Sequence, residues 1–303
     1  MYIGVDWGGT KVEAIALDET GLEIMRVREE TPRGDYEGCL RLVRDLIDRL
    51  ESATGRRGSI GIGIPGSLEP TTRLGKGGSS TWINGKPVEA DLRAIIGREI
   101  RVENDADCLA ASESIDGAGA GYGVVFAVIL GTGAGAGVAF DGRAHHGPNN
   151  SAGEWGHNAL PIPNVTEIPG DACYCGKHGC LETWVSGYAF ARDFGRHSGL
   201  DLPPSAIIDL MRAGDRLAGL SYRRYVDRVA RGLSLVVNIL DPDIIVMGGG
   251  MSNVDELYVD LAPAIADYTF STVFHTPIVK SKHGDSSGVR GAAWLWRGDT
   301  TAD

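Results

Sequence analysis

Tyr2-Ile3-Gly4-Val5-Asp6-Trp7-Gly8-Gly9-Thr10-Lys11-Val12-Glu13-Ala14-Ile15-Ala16-Leu17-Asp18 is the stretch on which the fold turns. Tyr2–Asp6 is apolar and β-prone, Trp7–Thr10 reads as a turn, and Lys11–Asp18 resumes as a strand with Val12, Ala14 and Ala16 on one face. The product is a β-hairpin with a glycine-rich tip. Gly8 and Gly9 let main-chain N–H groups face a phosphate, and Thr10 adds a hydroxyl donor. Asp6, at the strand end, is placed to orient Mg2+ through water. An ordinary tight hairpin has the same appearance, so this turn alone decides nothing.

Two further segments repeat the pattern. Val124–Leu130 and Val138–Phe140 predict a second hairpin around Gly131-Thr132-Gly133-Ala134-Gly135-Ala136-Gly137, and Gly248-Gly249-Gly250 follows the strand Ile244–Met247. Two such turns at the start of two halves predict a duplicated α/β fold that clamps a triphosphate, with a third main-chain segment approaching an adenosine. Helices are expected over Tyr36–Thr54, Glu89–Ile96, Ala106–Ile115, Arg216–Leu240, Asp255–Tyr268 and Val289–Trp296, and a short strand over Ser59–Ile64. Gly117–Gly121 is the expected boundary between an N-terminal α/β domain, 1–117, and a C-terminal α/β domain, 118–303, that carries a metal loop. The last helix, near 289–297, is expected to pack back on the first domain.

Composition narrows the function. The 303 residues include 40 acidic and 29 basic side chains, a net charge of −11, which is a poor partner for a phosphodiester backbone. No stretch approaches the ~20 apolar residues of a membrane helix, and no signal peptide opens the chain, so the expectation is a cytoplasmic protein with neither nucleic acid nor membrane as partner. Gly61-Ile-Gly63-Ile-Pro-Gly66 and Gly131-Thr-Gly133-Ala-Gly135-Ala136 match dinucleotide fingerprints, but neither opens a helix, as that site requires.

Asn104-Asp105 stands between the short strand Ile100–Val102 and a helix. Both residue types cap helices, and a carboxylate held on such a corner also suits a general base. Asp107 reads as a first-turn helix acid. His157 with Cys173-Tyr-Cys175-Gly-Lys-His-Gly-Cys180 supplies one imidazole and three thiols, the donor set of a closed, structural Zn2+ site. His178 is a rival fourth ligand, though its place between close cysteines makes joint ligation awkward. Cys39 and Cys108 read as small buried hydrophobes.

Asp6–Lys11, Glu103-Asn104-Asp105-Ala106, Leu130–Gly137, Gly153-Glu154-Trp155-Gly156-His157, Cys173–Glu182 and Gly248–Ser252 together resemble the ROK family of repressors, open reading frames and sugar kinases, across essentially the whole chain. Ser80–Gly85 and His283–Gly288 carry a closer likeness to its bacterial fructokinase/mannokinase branch. The resemblance implies an actin-like ATPase (ribonuclease H-like) fold, two α/β domains around a cleft. It implies Asp105 as catalytic base, and a sugar held by Asn104, Glu154, His157 and Glu182, to which Gly66 is added. It implies ATP at Asp6, Gly8, Gly9, Thr10 and Lys11, at Gly131, Thr132, Gly133 and Gly135, and at Gly248, Gly249 and Gly250. His157, Cys173, Cys175 and Cys180 would hold zinc. The expected reaction is transfer from ATP, with Mg2+, to a hexose, fructose first and mannose or glucose as alternatives, by a homodimer. Repressors of the family carry a helix-turn-helix ahead of the first strand; here that strand begins at residue 2, so no such module is expected.

Overall fold

The computed structural model describes residues 1–78, 80–271 and 273–297, without the side chain of Asp285; positions 298–303 of the expected second domain lie outside the described residues. In chain order the strands and helices of the first part are β1 (Tyr2–Trp7), β2 (Lys11–Leu17), β3 (Glu23–Glu30), α1 (Tyr36–Thr54), β4 (Ser59–Ile64), β5 (Ser67–Leu68), β6 (Gly75–Lys76), α2 (Val88–Ile96), β7 (Ile100–Asn104) and α3 (Asp105–Ile115). Then follow β8 (Val124–Leu130), β9 (Ala134–Phe140), β10 (Arg143–Ala144), α4 (Glu182–Val185), α5 (Gly187–Ser198), α6 (Pro204–Arg212), α7 (Arg216–Leu240), β11 (Ile244–Gly248), α8 (Glu256–Ala266), β12 (Ile278–Lys280) and α9 (Ser287–Trp294). They divide into two compact units. The first takes 1–121, 137–152 and the C-terminal stretch from 285, and the second takes 122–136 and 153–284.

The first unit is built on a five-stranded sheet in the order β3-β2-β1-β4-β7. The opening hairpin pairs β1 with β2 antiparallel, and β1, β4 and β7 run parallel. α1 buries Cys39, Leu40, Val43, Leu46, Ile47 and Leu50, the face expected from its periodicity. Asp35 starts it by accepting from Gly38 N–H at 2.9 Å, and Gly55, at φ 65°, ends it. The sheet register sets Gly4 beside Gly61. A Cβ on either would lie 1.9 Å from a carbonyl oxygen of α9, Val289 and Ala292 respectively. This glycine pair makes a slot in which helix backbone rests directly on strand backbone. Gly291 of α9 in turn presses on the Cys108 carbonyl of α3, where a Cβ would stand 1.6 Å away.

The structure adds strands that the sequence expectations lacked, β3, β5, β6, β10 and β12, and moves the start of β9. β3 has no apolar alternation, because it is an edge strand whose Glu side chains face water while Arg26 and Arg28 turn to the buried Glu13. The second glycine turn is shorter than expected: β9 begins at Ala134, so only Gly131–Gly133 remain as the turn and Gly135 lies within a strand. These small residues belong to the strand because other backbone packs against it. A Cβ on Gly156 would lie 1.9 Å from Ala134 O, and one on Gly137 would lie 2.3 Å from Ala106 O.

In the second unit β8, β11 and β12 are parallel neighbours. α7 runs its full expected length, capped by Asp215, which accepts from Ala218 N–H at 2.8 Å. Trp155 anchors the turn that follows Gly153: its indole donates to Gly232 O on α7 at 2.9 Å and its ring meets Phe126 edge-on. No helix among the described residues is long and apolar enough to cross a membrane.

Candidate active site and metal centre

In the first unit the turn of the opening hairpin closes through Gly8 N–H to Lys11 O at 3.0 Å, and Thr31 Oγ1 donates to Gly8 O at 2.7 Å. Thr10 is exposed and its hydroxyl oxygen accepts from Arg33 at 2.9 Å, which leaves its own O–H to donate. Lys11 Nζ lies 3.7 Å from Glu13, a fully buried carboxylate that also pairs with Arg26 and Arg28. Sequence reading passed over Glu13 and Arg33, because a lone charge in a strand or loop has no pattern.

Asn104 and Asp105 form the corner between β7 and α3. Asn104 caps the helix, its Oδ1 accepting from Ala106 and Asp107 N–H at 2.7 and 3.3 Å, while its Nδ2 donates to Gly66 O at 2.7 Å. The structure therefore brings Gly66 and Asn104 together and leaves Asn104 one amide N–H for a ligand. Asp105 is half-buried, and its Oδ1 accepts from Ala106 N–H at 2.9 Å. Asp105 also bears on Asp6. Loss of water around the Asp6 carboxyl, then the negative charges of Asp105 and Glu13, push it up to about 7 against the pull of Lys11 and Arg28.

That shift predicts a stability effect. A carboxyl whose folded pKa is raised from 3.8 to about 7 favours the folded state while protonated and loses that advantage as pH rises through this window. Asp6→Asn should therefore raise the Tm of the ligand-free protein at pH 8 by several degrees, at roughly 2–4 °C per kcal/mol. At pH 5 the gain should shrink. Thermal melts at both pH values check this; equal gains would show that ionisation of Asp6 is not the cause.

The second unit gathers the other sequence-predicted residues. Gly249, at φ 80°, packs on the end of β8, where a Cβ would stand 2.6 Å from the Leu130 carbonyl, so the Gly248–Gly250 segment directly abuts the Gly131 turn. Gly131, Thr132 and Gly250 line one cavity of about 1170 Å³, walled also by Tyr188, Arg192 and Met251. The cavity lies above the usual ~300–1,000 Å³ of small-ligand pockets and leaves room for a nucleoside. Tyr188 and Arg192, from α5, carried no sequence signal.

Glu182 opens α4. Its Oε2 accepts from Ala134 N–H at 3.2 Å beside the glycine turn, and its Oε1 lies 4.0 Å from Cys173 Sγ. One carboxylate thus touches both the turn and the thiol cluster. His157 Nδ1 is 3.5 Å from Cys173 Sγ, Cys175 Sγ is 3.5 Å from Cys180 Sγ, and the four donor atoms all lie within 4.8 Å of one another. Zinc–sulfur bonds of 2.3 Å in a tetrahedron place sulfurs about 3.8 Å apart, so the set fits zinc. His178 is outside the group; it bridges Ala172 instead. The other ring nitrogen of His157, Nε2, is 2.9 Å from Tyr174 Oη and 4.0 Å from Glu154. Tyr174, inside the cysteine loop, was not anticipated as a neighbour of the histidine. Burial pushes the Cys180 thiol up to about 12, so it would become a thiolate only with a cation beside it. Cys39 and Cys108 are fully buried, as expected for small hydrophobes.

The chain is similar over nearly its whole length to known sugar kinases. The model of the ROK family matches residues 2–299. The N-acetyl-D-glucosamine kinase of Haemophilus influenzae is 38% identical over 301 residues, which is 98% of this chain and 99% of the relative. That of Escherichia coli O157:H7 is 37% identical over 300 residues, 97% of this chain and 99% of the relative. Among solved structures, the ROK hexokinase from Thermus thermophilus superposes with a TM-score of 0.86 at 30% identity, covering 97% of each chain. A ROK glucokinase from Streptomyces griseus, in complex with glucose and AMPPNP, superposes with a TM-score of 0.80 at 27% identity, covering 97% of this chain and 98% of the other. The fold is the actin-like ATPase fold of these enzymes. On the length and level of these matches, the chain belongs to the ROK family and is a sugar kinase.

Proposed function

We propose that the chain transfers the γ-phosphoryl group of ATP to the primary hydroxyl of a hexose, with Asp105 as general base. The observation that carries this reading is the half-buried Asp105 carboxylate, fixed at the first residue of α3 within electrostatic reach of Asp6. A sugar alcohol is a weak nucleophile, and Asp105 accepts its proton as the bond to phosphorus forms. Glu154 and Glu182 accept from the remaining sugar hydroxyls, and His157, whose Nδ1 faces the thiols, donates from Nε2–H to a sugar oxygen. Main-chain N–H groups of residues 8–10 and 131–133, with Lys11, offset charge on the phosphates. Asp6 would hold Mg2+ near these phosphates, where the ion would supply charge neutralisation. His157, Cys173, Cys175 and Cys180 would hold zinc, which would supply rigidity rather than chemistry.

The hexose we propose is N-acetyl-D-glucosamine. The support is the 37–38% identity to kinases of that sugar over nearly the whole chain. Fructose, favoured by the motifs at 80–85 and 283–288, is the second reading. A coupled assay of ADP release with N-acetyl-D-glucosamine, fructose, mannose and glucose separates them. The expected result is a kcat/KM for N-acetyl-D-glucosamine at least ~10-fold above the rest, a gap that one buried polar contact supplies. Fructose in first place would reinstate the second reading, and ADP release with no sugar of the panel would overturn the hexose assignment.

A further inference from the structure

Three ligand-bearing side chains outside the machinery above converge in the first unit. Glu103 lies near the end of β7, Asp107 in the first turn of α3, and His146 in the segment after β10. One donor atom from each lies within 4.8 Å of the other two, and Glu103 Oε2 is 2.6 Å from His146 Nδ1. Asp107 is only 6% exposed and Glu103 is half-buried.

The backbone holds all three in place. Glu103, on β7 at the edge of the sheet, is registered against Gly63 of β4. Asp107 N–H donates to the capping Asn104. His146 O accepts from Ser151 and Ala152 N–H, each at 3.2 Å, and Asn150 Nδ2 ties the same segment to Leu68 O at 3.0 Å. The neighbourhood is strongly anionic: Glu103, Asp107, Asp6 and Asp105 all act on the one buried thiol of Cys108. Arg73, whose charge reaches His146, is committed to Glu89 at 2.7 Å.

We propose that Glu103, Asp107 and His146 form a second divalent-cation site, separate from the thiol cluster. One imidazole with two carboxylates suits a first-row ion such as Mn2+ or Zn2+ better than Ca2+ or Mg2+, which favour all-oxygen shells. The thiol cluster selects softer binding, so the two sites differ in the ion they prefer. Two of the ligands flank Asn104-Asp105 in sequence, and the third comes from the segment at 145–152. A bound ion staples that segment to the corner that carries the catalytic carboxylate.

The test uses the full chain with its zinc in place and no nucleotide, titrated with Mn2+ while the unbound ion is followed by electron paramagnetic resonance. One equivalent should be taken up before the free-ion signal grows, and the Tm should rise by a few degrees. His146→Gln, at a side chain that is 45% exposed and so safe for folding, should lose both the equivalent and the Tm rise. Glu103→Gln should do the same. Asp6→Asn should keep both. No uptake by the wild type, full uptake by His146→Gln, or loss of uptake on Asp6→Asn alone would each overturn the proposal, the last by placing the ion at the nucleotide's magnesium position.

Discussion

Asp105→Asn is expected to lower kcat by about 10²–10⁴-fold, the range that general-base assistance supplies, with no loss of fold. Asparagine matches aspartate in shape and can still accept from Ala106 N–H, and the helix cap belongs to Asn104 rather than to Asp105. The sugar KM should change far less than kcat, because proton acceptance is demanded only as the phosphorus–oxygen bond forms. A second readout is independent of turnover. The Asp105 charge helps to raise the Asp6 carboxyl, so its removal should lower the pH at which Asp6 titrates. Retention of more than about a tenth of kcat would exclude the general-base role. An unmoved Asp6 titration would place Asp105 elsewhere in solution.

Loss of the thiol cluster should give the second large effect. Cys180→Ser removes a side chain that is 1% exposed and sits against Cys175 Sγ at 3.5 Å. The variant should bind no zinc by elemental analysis, melt at lower temperature and lose about 10–100-fold in kcat/KM, mostly through the sugar KM. The route is physical: the cluster contacts Glu182 through Cys173 and shares His157 with the proposed sugar site, so its collapse frees two of the three proposed sugar partners at once. Cys175→Ser, at an exposed thiol, repeats the test where the buried variant fails to fold. Because protons compete for the thiols, zinc retention should also weaken as pH falls. Wild-type protein that carries no zinc, or metal-free protein with an unchanged KM, would remove zinc from the account of sugar binding.

How much of this was legible in the chain differs from residue to residue. The hairpin at 2–17 was readable because period-two alternation and adjacent glycines are local signals. So was α1, whose apolar spacing and closing glycine match its observed limits. The histidine–cysteine set was readable because three cysteines within eight residues seldom serve anything but a metal. β3 was not, since an edge strand is held by its neighbour's hydrogen bonds and needs no apolar face. The start of β9 was hidden too, as its alternating Gly and Ala read as a turn until backbone from elsewhere is seen to press on them. Glu13, Arg33, Tyr174 and His146 carried no signal, being single residues whose meaning is a neighbour far away in sequence.

The sequence by itself determined the pieces: a glycine-tipped hairpin, a second glycine turn, an Asn-Asp corner before a helix, and a thiol-rich loop. Each arises from interactions within a few residues, where order in the chain and closeness in space are the same thing. Only the tertiary structure decided the juxtapositions. It paired Gly4 with Gly61 to admit α9, set Glu182 against both a glycine turn and a thiol, made Asn104 share Gly66, and drew His146 to Glu103 and Asp107. Such contacts join segments tens of residues or more apart, and what selects them is the packing of whole sheets and helices rather than any local preference.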